Sequence, residues 1–238
     1  MIMITRIRQL NRRWMPFESK SAIFRKFLKS PCQVLLGLFI YSFGVYLTIA
    51  ANIGLTPWDC FCMGISQHTP LNYGSTMMLI SVAAILIQLL FREHIGFATI
   101  LDALITGRLT QFFIDISSYP ENNSLWIGIV LLLLGFLIID LGIYVYMSAE
   151  LGSGSKDGLM MVIGQKLPEI PIGVIGILLW SAVMLIGWLL GGSVGIGTLL
   201  SIFGAGFVMH IFYDAIGFEP RELKHKSLRK TLMSLSGR

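Results

Sequence analysis

The chain is poor in charge, in cysteine and in catalytic motifs. Only 13% of its 238 residues are charged and 55% are hydrophobic, whereas soluble domains carry about 25% charge. Cys32, Cys60 and Cys62 are too few for a disulfide framework and provide no C-x-x-C metal pair. Walker A, H-E-x-x-H and G-x-S-x-G motifs are missing. We therefore expect no enzyme, no catalytic residue, no metal and no cofactor.

Long charge-free hydrophobic runs dominate the sequence. The mean hydropathy is +0.75, and the clearest run has the ~20 apolar residues that a transmembrane helix needs. We predict an all-α polytopic membrane protein with six transmembrane helices. In chain order they cover residues 32–53, 73–91, 96–116, 125–149, 171–190 and 194–216.

The positive charges are concentrated at the two ends. Of 18 Lys and Arg residues, 14 lie in residues 1–30 and 219–238. Basic tails beside hydrophobic helices bind anionic lipid on the cytoplasmic face, so we expect a lipid bilayer and no nucleic acid as the partner. Residues 1–30 mix isoleucine with arginine and lack a signal-peptide pattern, which predicts a basic amphipathic segment on the inner face. Residues 218–238 are predicted to be a basic cytoplasmic tail.

The predicted loops agree with this orientation. Three loops contain neither Lys nor Arg: 54–72, 117–124 and 191–193. The other two contain Arg92, Lys156 and Lys166. Because positive loops stay in the cytoplasm, six helices with both termini inside satisfy every loop.

The second half of the chain repeats the first. Seven residues recur 98 positions later, namely Gly44, Tyr46, Ala51, Gly54, Asp59, Gln67 and Pro70. Eight more recur at a spacing of 99, namely Gly74, Ala83, Leu86, Gly96, Thr99, Gly107, Phe113 and Asp115. Three helices per copy is an odd number, so the copies, residues 31–118 and 124–217, must be inverted relative to each other in the bilayer. The matched glycines of the helices, Gly44, Gly142, Gly107 and Gly206, are expected to face packing seams.

Each copy contains a short element after its first span. In copy one, Thr56, Pro57 and Asp59 are typical of the N-cap, N1 and N3 positions of a helix, and Thr-x-x-Asp approximates a capping box. We predict short helices over residues 56–67 and 156–166. They are too short to cross the bilayer, and the sequence leaves open whether they lie at the interface or re-enter the membrane.

The starts of these short helices form the predicted binding site. If both dip into the bilayer, their positive ends can converge near the midplane. The candidate solute-binding residues are Thr56, Trp58, Asp59, Gln67, Ser153, Ser155, Lys156, Asp157 and Gln165. Asp59 and Asp157 would favour a proton, a cation or an amine, or they would only cap their helices. Lys156 is either a cytoplasmic anchor or a counter-charge to a bound anion.

Other ionisable residues lie within the predicted spans. A charge in lipid costs at least ~2.5 kcal/mol, so it usually faces a cavity or a partner. The candidates for a proton or ion pathway are Asp102, Arg108, Asp140, His210 and Asp214. His210 and Asp214 can meet on one helix face, although a pair at the membrane surface is the simpler interpretation.

The segment Gly54-Leu55-Thr56-Pro57-Trp58-Asp59 resembles the G-L-S-P-W-D stretch of the YczE/YyaS/YitT family of bacterial integral membrane proteins. The resemblance covers residues 32–216, and Thr56 replaces the usual Ser. It implies a multi-pass protein of the bacterial plasma membrane, compatible with transport.

These observations together favour a transporter-like protein that binds or moves a small polar or charged solute between two inverted repeats. The alternative is an accessory or regulatory membrane subunit, or the solute-binding component of a larger transport complex. A homo-oligomer or a cytoplasmic partner is compatible with either. The identity of the solute and the coupling ion do not follow from the sequence.

Overall fold

The computed structural model describes residues 31–91, 95–117, 124–170 and 172–218, without the side chains of Asp157, Met161 and Ile172. All regular structure in these residues is helical. The eight helices are α1 Pro31–Ala50, α2 Pro57–His68, α3 Tyr73–Leu90, α4 Phe97–Ile116, α5 Leu125–Met147, α6 Ser155–Lys166, α7 Ile172–Leu189 and α8 Ile196–Ile216. The predicted amphipathic segment, the basic tail beyond Phe218, and Arg92 lie outside the described residues.

Helix lengths follow the hydrophobic runs. The all-α prediction is confirmed, and both short helices lie within one residue of their predicted bounds. Five helices are long and apolar enough to cross a membrane: α1, α3, α4, α5 and α8. The apolar part of α7, Gly173–Leu189, is shorter, so the sixth transmembrane helix stays a prediction.

Helices α1 and α5 form the central contact through glycines. A Cβ atom on Gly37 would lie 2.6 Å from the backbone nitrogen of Tyr146, and one on Gly44 would lie 2.7 Å from that of Ile139. The later residue of α1 therefore faces the earlier residue of α5, so the two helices run antiparallel. Glycine permits this approach because a side chain would collide with the facing backbone. The expectation for Gly44 and Gly142 is confirmed.

Each short helix packs against the other half of the chain. Helix α2 lies on α7, where a Cβ on Gly187 would come within 2.7 Å of the Cys60 carbonyl carbon, and α6 lies on α3. Gly158 of α6 contacts the side chain of Gln88. Position 158 matches position 60, and position 187 matches position 88, so the two contacts are equivalent by the repeat.

The segments before the short helices cross the starts of α4 and α8. The Gly197 N–H donates to the Ile53 carbonyl over 2.8 Å, and the matched Ala98 N–H donates to the Leu151 carbonyl over 3.0 Å. Gly54 and Gly152 follow these carbonyls with φ of +113° and +136°, where L side chains are strained. These crossings fix where α2 and α6 begin.

The outer helix pairs differ between the halves. Gly74 and Gly107 hold α3 and α4 in close contact, which we call the first seam. At the matched residues Gly173 and Gly206 of α7 and α8, the second seam, a Cβ atom would meet no described residue within 4 Å. The expectation that Gly206 faces a packing seam is therefore wrong for this arrangement, because α7 and α8 stand apart there.

Candidate functional site

The two short helices begin at one shared cavity. Its volume is about 120 Å³, which is comparable with an apolar cavity of about 150 Å³ that holds benzene. Helices α1, α2, α4, α5 and α7, together with the start of α6, form its wall. The lining residues are Tyr41, Val45, Thr56, Trp58, Asp59, Asp102, Ile139, Tyr146, Gly154, Lys156 and Trp180. The chain thus places polar groups from both halves around a space that suits a small solute.

Three pairs of lining residues occupy matched positions in the two copies. They are Thr56 with Gly154, Trp58 with Lys156, and Tyr41 with Ile139. The cavity therefore lies where the two copies meet.

Asp59 is buried at the start of α2, with 3% of its surface exposed. Its Oδ1 accepts a hydrogen bond from the Tyr73 hydroxyl at 2.7 Å, and its Oδ2 accepts one from the Thr56 hydroxyl at 2.6 Å. Thr56 is the N-cap residue, as predicted, but its side chain makes no capping hydrogen bond. The predicted capping box is therefore wrong: the hydroxyl donates to the carboxylate, a stronger acceptor than a neutral group.

Asp102 caps α6 from another helix. Its Oδ2 accepts from the Ser155 N–H at 2.7 Å and the Ser155 hydroxyl at 2.8 Å, and its Oδ1 accepts from Thr106 at 2.7 Å. The N-cap residue of α6 is Gly154, which has no side chain to satisfy the first N–H groups. Asp102, predicted as an ion-pathway residue, is in fact part of the same cavity wall as Thr56 and Lys156.

Lys156 is the one cation among the lining residues. Its Nζ lies 5.9 Å from the centroid of the Trp58 ring, within range of a cation–π interaction. In the described part of the chain it makes no ion pair.

The remaining predicted solute-binding residues are in different positions relative to the cavity. Gln67 is exposed at the far end of α2 and donates to the Gly191 carbonyl at 3.1 Å, and Gln165 is exposed near the end of α6. The backbone carbonyl of Ser153 accepts a hydrogen bond from the Thr99 hydroxyl. The buried hydroxyl of Ser155 donates a hydrogen bond to Asp102. For Asp157 the structure describes only the backbone, which lies in α6.

The ion-pathway candidates do not form one cluster. Arg108, His210 and Asp214 are exposed on their helices, and the described residues show no bond between His210 and Asp214. Asp140 is buried within α5, with 5% of its surface exposed and no hydrogen-bond partner for its Oδ2. These residues are separate features rather than a continuous path.

Sequence reasoning found Trp58 but missed the other aromatic residues of the wall. Tyr41, Tyr146 and Trp180 line the cavity, and Tyr73 orients Asp59. The repeat matches Tyr41 with Ile139 and Trp180 with Ser81, and neither match is a sequence signal for a cavity. Among the described residues, no group of three or more His, Cys, Asp or Glu side chains could hold a metal ion.

Comparisons with known proteins agree with the suggested resemblance. Residues 28–214 match a family model described as a family of unknown function, DUF6198. An uncharacterized protein of Haemophilus influenzae is 31% identical over 187 residues, covering 79% of this chain and 84% of its own. No solved structure matches significantly.

Two relatives come from Bacillus subtilis. The uncharacterized membrane protein YczE is 32% identical over 179 residues, which cover 73% of this chain and 80% of YczE. The uncharacterized protein YyaS is 29% identical over 186 residues, which cover 76% of this chain and 90% of YyaS. The name of the first agrees with the apolar helices of this chain. The chain is a multi-pass membrane protein of the DUF6198 family and is similar to YczE and YyaS.

Proposed function

We propose that this protein is a transporter-like membrane protein that binds or moves a small solute at the cavity between two inverted repeats. The observation that carries the proposal is the meeting of the matched starts of α2 and α6 at one cavity. Solute sites of inverted-repeat transporters lie between the copies, where discontinuous helices present their ends. The proposal involves no catalytic step.

The inverted arrangement is supported by the contacts between the halves. Helices α1 and α5 run antiparallel, and the hydrogen bond from Gly197 to Ile53 is repeated by that from Ala98 to Leu151. Helix α7 has 18 residues, which gives about 27 Å at 1.5 Å per residue, close to the ~30 Å hydrocarbon core. We therefore count it as the sixth span, with both termini in the cytoplasm of a bacterial cell.

The charges of the cavity favour a solute with an anionic group. Asp59 and Asp102 already accept hydrogen bonds at both oxygens, whereas Lys156 makes no ion pair with any side chain that the structure describes. A cation within a membrane protein is costly, and a bound anion would offset that cost. The first N–H groups of α2 and α6 add partial positive charge at the same place.

Substitution of Lys156 tests this assignment. The full-length protein in detergent is screened for thermal stabilisation by small carboxylates and inorganic anions, with small amines for comparison. Saturation at 100 times Kd stabilises by about 2.7 kcal/mol, and Lys156→Met is expected to remove this effect. Lys166→Met is the matched control, because Lys166 also lies over an aromatic ring, Phe91, but at the other end of α6.

Transport itself is measured by uptake into proteoliposomes under proton, sodium and solute gradients. Stabilisation by amines that survives Lys156→Met would refute an anionic solute. If no solute or ion moves under any gradient, transport is refuted. Recovery of a stoichiometric cytoplasmic partner in mild detergent would then favour an accessory subunit or a component of a larger complex.

A further inference from the structure

The first seam shows how these helices pack when they are closed. The Gly74 N–H donates to Gln111 Oε1 at 3.0 Å, which satisfies one of the unpaired N–H groups at the start of α3. A Cβ on Gly74 would lie 2.6 Å from the Gln111 Cβ, and one on Gly107 would lie 3.2 Å from the Met78 nitrogen. Thr110, one turn later in α4, is fully buried.

The second seam has the same two glycines without these contacts. Met209 matches Thr110 and has 41% of its surface exposed, and no described residue lies within 4 Å of a Cβ on Gly173 or Gly206. Glycine inside a helix is unfavourable relative to alanine. In this arrangement neither glycine has a packing role that would offset that cost.

We infer that α7 and α8 close on each other in a second arrangement, with Gly173 against Gly206 as Gly74 lies against Gly107. The inference rests on the proposed function, since it describes how access to the same cavity changes. Trp180 of α7 lines the cavity, and α7 packs on α2, whose first residues line it as well. Movement of α7 therefore alters the cavity wall directly.

His210 is the residue that holds the second arrangement closed. It stands 99 positions after Gln111, and Gly173 is the second residue of α7 as Gly74 is of α3. A ring nitrogen of His210 can accept from the Gly173 N–H in the way that Gln111 accepts from Gly74. In the proposed topology the second seam lies in the cytoplasmic half, so this structure is the arrangement that is open towards the cytoplasm.

Thiol labelling tests the inference without knowledge of the solute. Met209→Cys is made in a Cys32→Ser background, because Cys32 is the exposed native thiol, and its labelling rate is measured in membranes. Closure should bury position 209, as Thr110 is buried in the first seam. Gly173→Leu should prevent closure, because a side chain at the matched Gly74 would collide with Gln111, and it should therefore speed the labelling. Val174→Leu is the control on the same helix, since Val174 is exposed, and it should leave the rate unchanged.

Equal labelling rates of Met209→Cys with Gly173→Leu and with Val174→Leu would overturn the inference. Crosslinking between molecules at Met209→Cys would also overturn it, since a second copy would then cover the seam.

Leucine substitutions separate the second arrangement from the solute site. Gly206→Leu and Gly204→Leu should both fold, and Gly206→Leu alone should lose uptake while keeping thermal stabilisation by the solute. His210→Gln should leave the labelling rate of Met209→Cys unchanged and His210→Leu should raise it. Faster labelling with Gly173→Leu in a protein without any solute response would retain the second arrangement and refute the proposed function. Equal uptake by both leucine variants would refute the inference alone.

Discussion

Removal of the Asp102 carboxylate should destabilise the protein through α6. In Asp102→Ala the N–H and hydroxyl of Ser155, whose side chain is fully buried, lose their acceptor. Each buried donor without a partner costs about 1–3 kcal/mol, so we expect the two to cost about 2–6 kcal/mol. At about 2–4 °C per kcal/mol for a chain of this size, the melting temperature should fall by roughly 4–24 °C. Asp102→Asn keeps one acceptor oxygen and should cost about 1 kcal/mol.

The assay is thermal unfolding of the full-length protein in detergent, followed by tryptophan fluorescence. Asp115→Ala is the control on the same helix, because Asp115 is exposed and accepts a single hydrogen bond, from Gln111. An Asp102→Ala variant that melts within 1 °C of Asp115→Ala would refute the idea that Asp102 caps α6.

Two further predictions concern packing and topology. Gly142→Ala places a Cβ 2.6 Å from the Tyr41 nitrogen and should cost about 1–3 kcal/mol by overpacking; Gly204→Ala, which meets open space, should not lower the melting temperature. A cysteine at Ser118 should react with an impermeant thiol reagent from outside the cell, in a Cys32→Ser background, and one at Ser234 only after permeabilisation. Reaction of both from the same side would refute the inverted arrangement.

The helices could be predicted from the sequence because their signals are local. Hydrophobic length marks α1, α3, α4, α5, α7 and α8, and Thr56-Pro57 marks the start of α2. The contacts of the site could not be predicted in this way. Asp102 meets Ser155 across 53 positions, and no local pattern distinguishes a carboxylate that caps a distant helix from one that lines an ion path.

The repeat predicted contacts between the halves that the hydrophobic pattern could not, and one of its predictions was wrong. Matched spacing correctly placed Trp58 and Lys156 at one site, but it predicted the same packing for Gly107 and Gly206. Two identical sequence positions can have different neighbours when the protein adopts one of two arrangements. Trp180 shows a further limit, since its match, Ser81, does not line the cavity.

The exchange of short helices between the halves has a consequence for biosynthesis. Cys60 of α2 donates a weak hydrogen bond to the carbonyl of Met184, 124 positions later. The first half therefore emerges from the ribosome with a segment whose docking surface has not yet been made. Neither half can complete its native contacts by itself, because α2 can pack on α7 only after α7 has been synthesised.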